Sequence, residues 1–326
     1  MVKSMYAAVS GLKVHQSKMD VISNNIANVN TWGFKSQSAS FSDSLYQNSI
    51  VGSEGLVTTG ELGGTNTSQV GFGVNMSSIA VNYSTGAWSP TGRALDCMIN
   101  GSGFFIVGPM PENTNGVLTG ISAPNGIANL ENSNLKLSKV GIFGVDSNGY
   151  LVDDQGNYVY GFQAEWTTPT GGGNSELVIN NDGKNGTVPQ LVPIRVPSQD
   201  PQKPIDGEQP VISTYKIGDD GTIVGTGQDE KIYTIGQIAV ASVGNVNGLE
   251  HDEGYYYTPG ANAGTLKGSA TSSASGKILS GYLEMSNVDL AKEMSDLITT
   301  QRGYQANTKI ITVTDEMLSD LVNMKR

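Results

Sequence analysis

SMYAAVSGLKVHQSKMDVISNNIANVNTWG, residues 4–33, is the stretch that decides the architecture. Met5, Ala8, Leu12, His15, Met19, Ile22, Ile26 and Val29 follow one another at spacings of three and four, and all but His15 are apolar. In an α-helix that spacing keeps side chains on one face, so the pattern predicts a coiled-coil seam from about Ser4 to Asn28. Ser4 suits the N-cap. Asn28-Val29-Asn30-Thr31-Trp32-Gly33 is a stop signal, with Gly33 available for a left-handed turn.

The other end of the chain repeats this logic. Leu290, Leu297, Tyr304, Ile311 and Leu318 recur every seven residues and are all apolar. The companion stripe Met294, Gln301, Thr308, Asp315 and Val322 is apolar only at its two ends. Ser286-Asn287-Val288-Asp289 reads as a capping box, with the acid three places after the serine. Asp289, Glu293 and Asp296 sit early and Lys325 and Arg326 last, as the helix dipole favours. The expected helix runs from about Val288 to Asn323, roughly nine to ten turns.

Each stripe needs cover. Burying one such side chain is worth roughly 1.5–3 kcal/mol, and a lone amphipathic helix is marginal in water. The simplest partner for one terminal helix is the other. A helix with one complete seam and one half-polar seam also suits contact with a helix of its own chain and several helices of neighbours. Periodicity leaves open an ordinary packing of both helices on the core of the same molecule.

Between the ends, from about Val70 to Tyr282, no helical period is sustained. Strand-like runs appear instead: Gly71 to Val74, Met76 to Tyr83, Gly103 to Val107, Tyr150 to Val152, Tyr158 to Tyr160, Leu177 to Ile179, Leu191 to Ile194 and Lys231 to Ser242. Ser147-Asn148-Gly149, Asp154 to Asn157, Asn181-Asp182-Gly183 and Asp219-Asp220-Gly221 divide them with tight-turn chemistry. Asp200 to Pro204 reads as an exposed connection. Residues 109–134 and 259–276, rich in Gly, Ser, Thr and Asn, read as long surface loops. The expected fold class is mixed: a discontinuous α-helical coiled coil from both termini plus an all-β central domain. Residues 1–32 with 284–326 form the helical domain, 33–70 an extended linker and 71–283 the β-rich domain.

Composition narrows the function. The 326 residues include 42 Gly, only 15% are charged, and the net charge is −11. An acidic chain disfavours a general nucleic-acid binder. A single Cys excludes a disulfide framework and a Cys-built zinc site; Cys97, in Ala94 to Ile99, reads as a buried small hydrophobe. No apolar run is long enough to span a bilayer. Lys13, His15, Lys18 and Asp20 break any secretory hydrophobic core near the start. The protein is therefore expected to be cytoplasmic or to leave the cell by another route.

Catalytic chemistry is also missing. His15 lies on the helical seam and His251 in the acidic loop Glu250-His251-Asp252-Glu253, so neither stands as the base beside a nucleophile. Asp146-Ser147-Asn148 starts like a calcium loop, but Tyr150 and Leu151 stand where a ligand and a glycine are required. Gly225-Thr226-Gly227 lacks the third glycine and the following helix of a dinucleotide site. Asn-x-Ser/Thr triplets at Asn66, Asn75, Asn82 and Asn185 carry no weight without a secretory signal. The reading is of a non-enzyme with no catalytic, cofactor-binding or metal residues. A secreted β-rich carbohydrate-active enzyme, which would need two converging carboxylates, is the remote alternative.

Three blocks carry a family resemblance. Asp20 to Lys35 (DVISNNIANVNTWGFK) resembles the N-terminal signature of the bacterial flagellar rod and hook proteins. Leu283 to Leu290, Gln301 to Asn307 (QRGYQAN) and Thr314 to Leu318 resemble the family's other end. Thr91 to Asp96 with Ile99 to Phe105 is the third. The blocks cover about the first hundred residues and the last forty-five; residues 109–270 match more weakly. Within the family the chain is most similar to hook sequences, through Gln301 to Asn307 and the closing Leu321 to Arg326. It departs where Leu137 to Phe143 replaces a Tyr-Thr-Arg-x-Gly-x-Phe block. It also departs between Pro193 and Tyr215, which leave little room for the large outer domain of longer hook proteins.

The resemblance implies a structural subunit of the flagellar hook. Such a subunit self-assembles into a bendable helical tube, a universal joint that passes torque from rod to filament. The alternative it implies is a distal rod protein of the basal body, which builds a straight, stiff tube. The terminal helices would pair and line the tube, with the β domain as its outer wall. Met5, Leu12, Met19, Ile22, Asn25, Ile26, Asn28, Leu290, Met294, Leu297, Tyr304, Ile311 and Leu318 are the candidate assembly residues. The implied partners are further copies of the chain, the distal rod, hook-cap, hook–filament junction and hook-length control proteins, and the flagellar type III export gate. No nucleic acid and no membrane insertion are implied. The resemblance places the protein in the extracellular hook, exported from the cytoplasm without a cleaved signal peptide. Phe41 and Leu45, in Phe41-Ser42-Asp43-Ser44-Leu45, resemble the Phe-x-x-x-apolar motif by which early export substrates dock; packing within the linker would use the same residues.

Overall fold

The computed structural model describes residues 2–52, 64–111, 113–114, 117–118, 121–122, 127–130, 134–163, 165–166, 177–178, 190–196, 212–227, 232–269 and 276–324. The turn expected at Asn181-Asp182-Gly183, the connection at Asp200 to Pro204 and the terminal pair Lys325 and Arg326 lie outside the described residues.

Two long helices open and close the chain: α1, Val2–Ala27, and α2, Leu290–Met324. Each boundary falls within two residues of the one read from periodicity. The cap of α2 differs from expectation. Asp289 Oδ1 accepts the backbone N–H groups of Ala291 at 3.0 Å and Lys292 at 3.3 Å, so Asp289 itself is the N-cap. A short carboxylate reaches those two orphan donors directly, and Ser286 lies too far back along the chain to do so.

The chain divides into two compact units, Met1–Val29, Lys35–Asn82 and Val288–Arg326 in one, Asn30–Phe34 and Tyr83–Asn287 in the other.

The second unit is built on strands. Its central ladder runs, in spatial order, through Ile127–Asn129, Leu266–Ser269, Val240–Val243, Phe104–Gly108, Tyr158–Gln163, Ile232–Ile238, Thr222–Gly227 and Ile212–Ile217, paired antiparallel throughout. Phe104–Gly108 sits in the middle because every residue in it is apolar or Gly, and all five are buried. Its alternate side chains serve two cores. Phe105 and Val107 face Phe143, Leu151, Val159 and Ile238; Phe104 and Ile106 face Leu137, Tyr160, Leu191 and Tyr257. Lys139, buried where the related block carries arginine, donates to the carbonyls of Gly101 at 2.6 Å and Gly103 at 2.8 Å, with its ammonium 5.2 Å from the Phe104 ring centre.

Turn chemistry holds at the expected corners. Gly149, Gly156 and Gly221 have φ of 82°, 85° and 82°, as hairpin corners require. In Asp146 to Tyr150 the N–H of Gly149 meets Asp146 O at 2.8 Å and that of Asp146 meets Tyr150 O at 2.9 Å, a strand-to-strand turn. Residues 259–276, expected as a surface loop, contain the strand Leu266–Ser269, with Leu266 and Ala263 buried. One leucine among Gly, Ser and Thr is too thin a pattern to mark a strand. Its place is decided by the neighbours that pair with it on both sides.

In the first unit the residues after Lys35 form two ribbons. β1, Gln37–Asp43, pairs antiparallel with β4, Val74–Val81. β2, Tyr46–Ile50, pairs with β3, Ser68–Gly71. Where an extended linker was expected over 33–70, the described residues thus include β1, β2 and most of β3. The run Gly71 to Val74, expected as strand, is a corner. Phe72 and Gly73 join β3 to β4, and Gly73 has φ 125°.

Candidate functional site

The features that could act lie on the paired helices and the ribbons beside them. α1 and α2 run antiparallel, and three contacts set the register. A side-chain carbon on Gly11 would stand 2.7 Å from Asn307 Nδ2, and one on Gly303 would stand 2.7 Å from His15 Cε1. Farther along, Asn25 Nδ2 donates to Glu293 Oε1 at 3.2 Å. Fourteen residues up α1, from Gly11 to Asn25, match fourteen down α2, from Asn307 to Glu293. The two glycines bring the helices close enough for the polar side chains opposite to fill the gap.

Asn25 is fully buried and ties three elements together. Its Nδ2 donates to Gln37 O at 2.8 Å, and its Oδ1 accepts Gln37 N–H at 3.0 Å. The carboxamide thus pairs with the first residue of β1 as another strand would, while also reaching Glu293 on α2. A buried polar group needs such complete pairing.

The covered face of α1 comprises Ala8, Gly11, Val14, Val21, Ile22 and Asn25. Among the candidate assembly residues, Ile22 and Asn25 are buried there; Met5, Leu12, Met19, Ile26 and Asn28 are half-buried. On α2, Leu297, Tyr304 and Ile311 are half-buried, while Leu290, Met294 and Leu318 are exposed. The face of α2 with the most cover also holds Thr300, Gly303, Asn307 and Thr314. Thr300 Oγ1 donates to Asp296 O at 2.7 Å and Thr314 Oγ1 to Ile310 O. An apolar-only seam passes over these small and polar positions. The signal that could have found them is small residues at the same three-and-four spacing.

Phe41 lies on β1, its ring edge-on to His15 at 6.1 Å and beneath the Lys18 ammonium at 5.6 Å. Leu45, in the corner between β1 and β2, is 79% exposed. Elsewhere, Cys97 is fully buried and burial pushes its thiol far up from the ordinary range. His251 is exposed, with Nδ1 2.8 Å from Asp252 O.

Apolar surface is distributed unevenly. Of 26 exposed large hydrophobic side chains among the described residues, 20 lie in the first unit. Among the described residues only Ala8, Val14, Val21 and Ile22 are buried hydrophobics there. Leu290, Met294 and Ile298 form one exposed apolar patch on α2, and Ile310, Val313, Met317 and Leu321 form a second one farther along the helix. Scattered exposed apolar residues are ordinary, but patches of neighbouring ones mark an interaction surface. Charge is uneven in the opposite sense. The second unit holds 20 of the 30 acids against 10 of the 19 bases; the first is nearly balanced. A balanced apolar surface can meet copies of itself closely without strong repulsion.

Comparison with known proteins shows the family. The family model "Flagella basal body rod protein" matches residues 5–35, and "Flagellar basal body rod FlgEFG protein C-terminal" matches residues 279–324. The flagellar basal-body rod protein FlgG of Bacillus subtilis is 34% identical over 328 aligned residues, covering 100% of both chains. FlgG of Buchnera aphidicola subsp. Schizaphis graminum is 30% identical, covering 98% of this chain and 99% of its own. The flagellar hook protein FlgE of Borreliella burgdorferi is 28% identical over 466 aligned positions, again covering 100% of both.

Proposed function

This chain belongs to the flagellar rod and hook protein family, whose members are structural components of the flagellum, and from that premise we propose that it is a distal rod subunit of the basal body. Copies would stack into a straight helical tube, with the terminal helices as its inner lining. The observation that carries the rod reading is length. The alignment with the rod relative spans 328 positions, close to this chain's 326 residues, whereas that with the hook relative spans 466.

The ribbon geometry supports the same reading. A stiff tube needs the segment after α1 held against the helices. Asn25 fixes Gln37, Lys3 Nζ donates to Gln47 Oε1 at 2.6 Å, and the Lys3 ammonium stands 5.3 Å from the Phe72 ring centre. Each contact holds a ribbon to α1. The hook reading stands second, favoured by the full-length match to hook relatives.

In this proposal α1 and α2 form the coiled coil, and the candidate assembly residues and the exposed apolar patches of α2 carry contacts between copies. Neighbouring rod and hook components would be the partners at the two ends of the tube. Export would proceed through the flagellar type III apparatus. The exposed Leu45, four residues after Phe41, is free to meet the export gate. Electron microscopy of polymers grown from the purified chain tests the reading. Straight tubes are expected; curved, supercoiled tubes would overturn it in favour of the hook.

A further inference from the structure

The register of the helix pair leaves one end of α2 uncovered. Continued from Gly11–Asn307 and His15–Gly303, it sets Val2, the first residue of α1, opposite Glu316. Met317 to Met324, about 12 Å of helix, therefore run past α1. On this overhang Met317, Leu318, Leu321, Val322 and Met324 are all exposed. Met317, Leu321 and Met324 fall on one face, and Glu316 and Asp320 form an acidic row directly beside it. An exposed apolar face of this extent beside an acidic row points to a partner elsewhere.

The same unit carries a surface of matching chemistry. Tyr6, Val9 and Lys13 of α1, with Val74 and Met76 of β4, line a groove of about 420 Å³ over the buried Val14. Tyr6, Val9 and Lys13 are exposed. α1 carries three lysines against one carboxylate, so the groove lies on a basic helix facing no acid of its own first turn.

We propose that the α2 overhang of one copy seats in this groove on the next copy. Met317, Leu321 and Met324 would cover Tyr6, Val9 and Met76, with Glu316 and Asp320 beside Lys13. This inference rests on the reading of the chain as a polymer-forming subunit, and it names the contact that joins the copies. Overhang and groove are different surfaces, so every copy offers both and the assembly continues as an open filament. A chain cannot satisfy the contact by itself. Leu321 lies twelve positions beyond the residue opposite Val9, about 18 Å along the pair.

The test is a full-length chain carrying both Val9→Cys and Leu321→Cys, polymerised and then oxidised; Cys97 is buried and does not interfere. A disulfide needs Cα atoms within about 7 Å, so any bond must join two copies. The expected product is a ladder of covalent oligomers, with neither single variant giving more than dimers. As a second measurement, Lys13→Glu should raise the concentration needed for polymerisation about two- to five-fold, and adding Asp320→Lys should restore it. Polymers that form at wild-type yield without a ladder, or a Lys13→Glu effect that Asp320→Lys leaves uncorrected, would overturn the proposed contact while leaving the subunit reading intact. A wild-type chain that forms no polymer would overturn the subunit reading, and this inference with it.

Discussion

Asn25→Asp changes one atom and no volume, and it should separate the helices from the ribbon. In the wild type Nδ2 donates to Gln37 O at 2.8 Å and to Glu293 Oε1 at 3.2 Å. The ionised carboxylate of the variant places an oxygen against both acceptors. Each buried polar group left unmatched costs about 1–3 kcal/mol, so the pair together costs about 2–6 kcal/mol. The new carboxyl, fully buried and close to Glu293, titrates above the ordinary Asp value of about 3.9. With the folded pKa raised, the penalty is complete above that pKa, declines as pH falls, and vanishes below the unfolded value of about 3.9. The assay is the thermal loss of the 222 nm helical signal of assembled full-length chain, variant against wild type at each pH. A midpoint about 10 °C lower at pH 7 is expected, closing toward pH 4. Asn25→Ala, which adds no charge, should show a deficit that does not close with pH. A variant midpoint within about 2 °C of wild type at pH 7 would refute the role given to Asn25.

Three further perturbations probe other contacts. Gly303→Ala puts a methyl group 2.7 Å from His15 and should destabilise the helix pair by about 1–3 kcal/mol. Adding His15→Ala should reverse the loss and reveal the gain of about 1 kcal/mol that alanine has over glycine in a helix, read by chemical denaturation. Gly73→Ala meets both a φ of 125° and the Ser10 hydroxyl, so Ser10→Gly should fail to rescue it; hydrogen exchange in β3 and β4 reports the loosened corner. Lys136, 2.6 Å from Asp252, holds that carboxyl below its ordinary value through the hydrogen bond. Lys136→Ala should bring Asp252 back toward 3.8 in an NMR titration. Any stabilisation from the pair is present above the unfolded pKa and lost as pH falls through the depressed folded one.

Both long helices are legible because heptad spacing is a local property of consecutive residues. The corners at Gly149, Gly156 and Gly221 are legible because an Asn or Asp beside Gly is a local signal too. The strand Leu266–Ser269 is not, since its two pairing partners, Ile127–Asn129 and Val240–Val243, are far away in the chain. Sequence places the cap of α2 three positions early because Ser and Asp both cap well, and only geometry shows which reaches the free N–H groups.

Part of the packing between the two helices is legible in the same way. Ile22 is buried and Leu297 and Tyr304 are half-buried in the helix pair. Gly11, Gly303 and Asn307 carry no such signal, because a seam counted by hydrophobicity ignores glycine and asparagine. Their importance lies in what stands opposite on the other helix. The acidic balance, which composition alone leaves without a role, gains a place once the chain is divided, since nearly all of it resides in the β unit.

By itself, the amino-acid sequence determined that the chain has a helix at each end and strands between. Those properties follow from periodicity and residue type. Tertiary structure decided that the two helices, some 260 residues apart in the chain, run antiparallel in one register. It also decided that Asn25 binds β1 and α2 at once, and that the last turns of α2 run past their partner. The physical reason is that register and overhang depend on where glycine allows two backbones to approach, a relation between distant residues that no local pattern contains.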